Sequence, residues 1–169
     1  GVRNMHMAYS ALPSTITGHV KNVTGVESAT PIGYVTNVIE IGKETNLAYI
    51  IGLPSDADAG GPWRVVAGAR IPASGEAIID RGIAIKAGVG LGDKVKILGE
   101  ELKIAGLSEG TATITNSIAF ISKKDFTRLR GDALSFVLVK IQAGETADAV
   151  AARIEKHLGL PVVLMDERL

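Results

Sequence analysis

The chain has no cysteine, which excludes a disulfide framework, a thiolate zinc site, an iron–sulfur cluster and a cysteine nucleophile. Aromatic residues are scarce: they make up 4% of 169 residues against a hydrophobic fraction of 46%, so the core must be built from Val, Ile, Leu and Ala. No sign of charge is in excess, because 18 Lys and Arg balance 18 Asp and Glu. A neutral chain offers no basic field to a phosphate backbone and no acidic block of the kind that keeps a tail solvated, so nucleic acid is not an expected partner. Long hydrophobic runs are missing too. The apolar stretches 117–121, 136–139 and 161–165 fall far short of the roughly 20 residues of a membrane-spanning helix. The chain opens at Gly1 with neither an initiator Met nor a signal-peptide pattern, and so reads as a segment cut from a longer protein.

What is present is a length suited to one domain or two small lobes, and 20 glycines, which imply many turns. Near the start, Leu12, Ile16, Val20 and Val23 recur at helical spacing, with Pro13 suited to a first turn and Gly25 to a stop, predicting a helix over 13–22. Residues 2–9 before it and 26–32 after it read as extended, the latter ending at Pro31. The same order returns at the other end. A strand over 133–141 precedes a helix striped by Val150, Ile154 and Leu158, opening near Thr146 and stopping at Gly159, and 161–165 forms the last strand. Two β-α-β units therefore bracket the chain, an arrangement that can pair into one split β-α-β sheet with its helices on a single face.

Between them the pattern is strand and turn. Strands are predicted at 34–41, 47–51, 64–67, 76–80, 94–98, 102–107 and 111–121, with short helices at 81–87, behind Asp80, and at 123–130, behind Ser122. Ser122 and Asp125 have the spacing of a capping box, with Asp in place of Glu or Gln. Residues 94–105 alternate as a hairpin, apolar inward and polar outward. The fold class expected is α+β, with a lobe made from 1–32 and 132–169 and an inserted β-rich lobe over 33–131.

Several motifs invite a chemical reading. Gly106-Leu107-Ser108-Glu109-Gly110 matches G-x-S-x-G, and His157 follows it in hydrolase order. A nucleophile elbow needs a helix directly after the serine, whereas 111–118 is β-branched, so a turn between strands is the preferred reading and a small hydrolase using Ser108 the competing one. Gly88-Val89-Gly90-Leu91-Gly92 resembles a phosphate loop in composition, but it leaves a helix for a strand, the reverse of the order that puts a helix N-terminus on a phosphate. Asp56, Asp58 and Gly61 match positions of a calcium loop whose fifth position is Gly60 and whose twelfth is Ala67, where a bidentate Glu belongs. Trp63, the single tryptophan, follows directly. Asp56, Asp58, Gly60, Gly61 and Trp63 are therefore candidates for a partner contact rather than a metal cage. His6, His19 and His157 have no metal-ligand spacing, and no catalytic residue, metal site or cofactor is expected.

From Gly61 onward, Gly68-Ala69-Arg70-Ile71-Pro72, Gly75-Glu76-Ala77-Ile78-Ile79-Asp80, Ala87-Gly88-Val89-Gly90-Leu91-Gly92-Asp93-Lys94-Val95 and Leu102-Lys103-Ile104-Ala105-Gly106-Leu107 follow one another in an order that resembles the extracytoplasmic domain of FtsX-like ABC transporter permeases, the MacB-like periplasmic core. Val23 to Pro31, Ile50 to Leu53, Ala119-Phe120-Ile121 with Phe126 and Leu129, and the closing β-α-β are similar to the same family, so the likeness spans nearly the whole chain. The resemblance implies a domain between the first two transmembrane helices of a permease, outside the cytoplasmic membrane. Its outer lobe would be porter-like, its inserted lobe sabre-like. The implied partners are a cytoplasmic ABC ATPase acting through the parent permease, a second permease subunit, and a periplasmic adaptor or substrate. Nucleotide hydrolysis would belong to the ATPase, and the domain's own role would be mechanical. A stand-alone extracytoplasmic ligand-binding module is the alternative, motivated by the loop from Asp56 to Trp63.

Overall fold

In the computed structural model the residues described are 6–10, 15–57, 64–110, 112, 117–132, 135–159 and 162–164. They form ten strands of one sheet and four helices. The outer strands are β1 (His6–Ser10), β9 (Ser135–Ile141), β10 (Val162–Leu164) and the first half of β2 (Val26–Ile41). They lie in the order β10-β1-β9-β2 with every neighbouring pair antiparallel. β1 and β2 consequently run the same way, with β9 between them. Helices α1 (Thr15–Lys21) and α4 (Ala147–Leu158) pack on this sheet, where Val20, Val150 and Ile154 meet Val26, Val137, Val139 and Ile141. The stripe that the sequence predicts for α4 is the stripe buried. Thr146 caps the helix, its Oγ1 accepting from the Ala149 N–H at 3.2 Å, and Gly159 ends it in the left-handed region at φ 66°.

The middle of the chain rolls up. Strands β3 (Glu44–Leu53), β5 (Glu76–Asp80), β6 (Lys94–Ile97), β7 (Glu100–Glu109) and β8 (Ser117–Ser122) join the second half of β2 in a closed ring, β2-β3-β8-β5-β7-β6 and back to β2 through Glu40↔Lys96 and Ile41↔Val95. Alternate residues of all six strands fill the ring: Ile39 and Ile41, Ala48 and Ile50, Ala77 and Ile79, Val95 and Ile97, Leu102 and Ile104, Ala119 and Ile121. This is the period-2 rule applied around a closed sheet, and with few aromatics the interior is filled by branched aliphatics. Closure also removes sheet edges that would otherwise be exposed. Helices α2 (Arg81–Ala87) and α3 (Lys123–Arg130) contribute Ala84 and Phe126 to the same core, and β4 (Arg64–Gly68) extends the sheet from β7. On the opposite face of the strands, Ile32, Ile51, Leu53, Ile78, Ile118, Phe120 and Leu138 form a third cluster that both parts of the sheet share. β8 is buried along its whole length for this reason, and between its terminal serines the sequence from Ile118 to Ile121 is correspondingly a continuous apolar run.

The hairpin β6–β7 has the predicted alternation, with Lys94, Lys96, Glu101 and Lys103 exposed and Val95, Ile97, Leu102 and Ile104 buried. Its turn is Leu98-Gly99, both at positive φ (53° and 83°), as a two-residue turn that matches strand twist requires. The expected break at Pro31 is absent: β2 runs unbroken for 16 residues. Pro31 is accommodated opposite Val137 in a stretch that pairs with β9 alone among the described strands, an edge-like position where a missing N–H is tolerated.

Candidate functional site

Of the five residues singled out for a partner contact, Asp58, Gly60, Gly61 and Trp63 lie outside the described residues. Asp56 is exposed in the turn that follows β3, where the Ala57 N–H donates to the Pro54 carbonyl at 3.1 Å. It borders a predominantly polar cleft of about 150 Å³, whose other walls are Lys21 at the end of α1, Ser28, Ala29, Thr30 and Pro31 of β2, and Pro54. The cleft exists because β3 reaches only to Gly33 in its pairing with β2, so Ser28 and Ala29 have β9 as their single strand neighbour among the described residues. A register shift between Val26 and Ser28 sits at the same place, and bulges of this kind re-aim side chains. Ser28 is 8% exposed, and its Oγ is buried with no hydrogen-bond partner among the described residues. Lys21 and Asp56 stand at the rim with no ion pair or hydrogen bond among the described residues.

A second polar cluster closes the barrel beside α3. Ser122 is the N-cap, its Oγ accepting from the Asp125 N–H at 3.0 Å. A capping box would send the Asp125 carboxylate back to the cap; instead it crosses to the β4–β5 connection, accepting from the Ser74 hydroxyl at 2.9 Å and the Gly75 N–H at 2.8 Å. Arg128 donates to it at 3.3 Å and to Glu100, at the β6–β7 turn, at 2.8 Å. Burial pushes the Asp125 carboxyl up, but hydrogen bonds from Gly75, Ser74 and Arg128, with Ser122 at the same helix end, outweigh burial and hold it below its ordinary value. Asp125 is thus a clamp joining three separate segments. The sequence hinted at it only through an Asp standing where a capping box carries a longer acid.

The fold corrects both readings of the Gly106–Gly110 motif, since Gly106 to Glu109 lie within strand β7 and form neither a turn between strands nor a nucleophile elbow. Ser108 is fully buried within β7, paired with Val65 on one side and Asp80 on the other, and the strand continues past it to Glu109 where an elbow would open a helix. His157 is exposed on α4, which packs on the outer sheet and not on the barrel. The glycine run after α2 is a helix stop. Gly88 takes the left-handed conformation at φ 73°, Asp93 Oδ2 accepts from the Gly90 N–H at 2.8 Å, and the chain passes into β6. No group of three His, Asp or Glu side chains able to hold a metal ion occurs among the described residues. No described helix is long and apolar enough to cross a membrane.

These features define an α+β domain whose first and last described strands are neighbours and whose middle is a closed barrel. The sequence pattern of the MacB-like periplasmic core domain matches residues 5–157, and the chain belongs to that family, the extracytoplasmic domains of MacB/FtsX-like ABC transporter permeases. Solved structures share the fold at low identity. The extracellular domain of the noncanonic ABC-type transporter YknZ from Gram-positive bacteria superposes with a TM-score of 0.67 at 14% identity, over 96% of this chain and 100% of that one. The periplasmic region of MacB from Actinobacillus actinomycetemcomitans gives 0.64 at 13%, over 97% and 89%. A domain of a putative permease protein from Porphyromonas gingivalis gives 0.60 at 15%, over 99% and 92%. No curated protein matches the chain in sequence.

Proposed function

We propose that this domain transmits motion of transmembrane helices, driven by a cytoplasmic ABC ATPase, to a substrate or partner outside the membrane, within a permease that pairs with a second permease subunit. One observation carries the reading. Met7 of β1 and Leu164 of β10 are directly paired, so the two ends of the domain lie side by side at one end of the sheet. From that end β2 runs out as a single strand: His6 and Ser28 both register with Lys140, and the hairpin tip after Ile41 is 13 residues further on, about 40 Å at roughly 3.3 Å per residue. A displacement applied at the paired ends reaches the barrel through one covalent strand and a close-packed core, which moves as a body and does not deform.

The partition into a porter-like lobe, 1–32 with 132–169, and an inserted sabre-like lobe, 33–131, belongs to the same proposal. Gly33 is where β2 changes partner, pairing with Ser135 of β9 and with Gly52 of β3, and it supports a boundary there. The placement is tested in the parent permease by replacing the exposed Lys43 at the hairpin tip with cysteine, in a domain that has none of its own. A membrane-impermeant maleimide labels Lys43→Cys in intact cells under this reading; labelling that requires opened cells overturns it.

A further inference from the structure

We propose that the outer face of the β2–β3 hairpin is the surface through which two copies of this domain meet. Val38 and Leu47 are direct cross-strand partners on that face, and they remain 50% and 45% exposed. Two residues further along β3 on the same face, the ring of Tyr49 stacks on Tyr34 with centroids 5.9 Å apart, and Tyr34 meets Phe136 edge-on at 6.0 Å. The three rings are half-buried against the third hydrophobic cluster. A continuous strip of five side chains therefore runs from that cluster toward the hairpin tip. The positions between them on this face are Thr36 and Ile51, so no charge interrupts it. A contiguous exposed apolar strip with tyrosines in it has the composition of a protein interface.

Charge and register select the occupant. The chain's formal net charge is zero, so two copies approach without repulsion. At the tip end of the strip Glu40 is already paired with Lys96 at 3.7 Å, so contact there buries no uncompensated charge. The cross-strand pairs are Thr36↔Tyr49, Val38↔Leu47 and Glu40↔Thr45. A two-fold axis running along the strands, between two hairpins packed face to face, lays β2 of each copy over β3 of the other. Val38 then faces Leu47 of the partner subunit, Thr36 faces Tyr49 of the partner subunit, and Glu40 faces Thr45 of the partner subunit. Apolar meets apolar, hydroxyl meets phenol, and no like charges oppose each other. The same axis keeps the paired ends of both domains, at Met7 and Leu164, on one side, as two subunits in one membrane require. To that extent the inference rests on the proposed pairing of permease subunits. A strip of this size gives weak association between free domains, with a Kd on the order of 1 mM, which tethering within one permease strengthens.

Sedimentation equilibrium of the chain, up to about 2 mM, tests the surface by itself. Reversible dimerisation is expected, weakened ~10-fold or more by Leu47→Lys. Ile85→Lys, which changes a 66% exposed apolar residue on α2, should leave it unaltered. If Leu47→Lys lowers the melting temperature, Val38→Lys takes its place. A chain that stays monomeric, or a dimer indifferent to the lysine, overturns the proposal. In the parent permease, subunits carrying Val38→Cys in this cysteine-free domain should cross-link on oxidation to subunits carrying Leu47→Cys, and faster than either does to its own kind. Two subunits that purify together without that cross-link overturn the surface and leave the pairing standing. A permease that purifies as one subunit overturns the pairing, and association of the free chain alone then decides the surface.

Discussion

Gly33 on β2 and Gly52 on β3 are direct cross-strand partners, and the ring of Phe126 from α3 lies against both. A Cβ added at Gly33 would stand 2.2 Å from Phe126 Cδ1, and one added at Gly52 would stand 2.6 Å from Phe126 Cβ. The pair of missing side chains is what lets a fully buried aromatic, one of few in the chain, close onto the sheet where β2 changes partner. Gly33→Ala should therefore destabilise by about 3 kcal/mol, the upper end of overpacking costs. In a Phe126→Ala background, itself costing about 3–5 kcal/mol, the same glycine substitution should cost little, giving a coupling of about 2 kcal/mol or more. Urea denaturation of the four proteins of this cycle measures it; additive losses would show that the glycine answers some other need.

Asp125 gives a pH prediction whose sign is fixed. Its carboxyl is held below its ordinary value by Gly75, Ser74 and Arg128 against the opposing effect of burial. A depressed acid stabilises the fold above its unfolded value, near 3.8, and that contribution disappears as pH falls through the lower folded value. Asp125→Asn should cost about 2 kcal/mol at neutral pH, because two charge-assisted bonds weaken and one partner faces an amide donor. The gap between wild type and Asp125→Asn, followed by urea midpoint from pH 7 down to pH 2, should hold until below pH 4 and then close. A gap independent of pH would remove the charge from the explanation.

The glycines after α2 separate a structural loop from a ligand cradle. Gly88 is left-handed, so Gly88→Ala should cost about 1 kcal/mol, whereas Gly90 has an ordinary φ and open space around its Cα, so Gly90→Ala should be neutral within about 0.5 kcal/mol. Thermal melts decide between them. Phosphate that raised the melting temperature of wild type but not of Gly90→Ala would restore a phosphate loop.

Ser108 lies in a ladder, not on an elbow. Ester turnover by the wild type should be no higher than by Ser108→Ala, measured with a short-chain p-nitrophenyl ester. A selective loss in the variant would reinstate the hydrolase.

Local signals were legible in the sequence, and long-range ones were not. Asp80 with Gly88, Ser122, and Thr146 with Gly159 mark the bounds of α2, α3 and α4, because a cap is written within a few residues of the helix it serves. The β6–β7 hairpin was equally plain from its alternation. Closure of the barrel was not, since it depends on the parallel pairs β3–β8 and β5–β7 and on β2 meeting β6, contacts that no local pattern encodes. Asp125 could be seen as a helix-start acid, yet its partners Ser74 and Gly75 lie about fifty positions away in the chain. The cleft was half visible: Asp56 stood out as a loop acid, while Lys21 and Ser28 gain meaning only when α1 and β2 meet the turn after β3.

The most direct test of mechanical coupling is a spin-label distance measurement on the whole permease with its ATPase, using cysteines at Lys43 on the hairpin tip and at Glu155 on α4, both exposed. Under the proposed pairing of two permease subunits, the Lys43-to-Lys43 distance between them should differ between nucleotide-free and ATP-bound states, while the Lys43-to-Glu155 distance within one domain stays fixed. An intersubunit distance unchanged by nucleotide would contradict the account, and so would a domain whose internal distance changes instead.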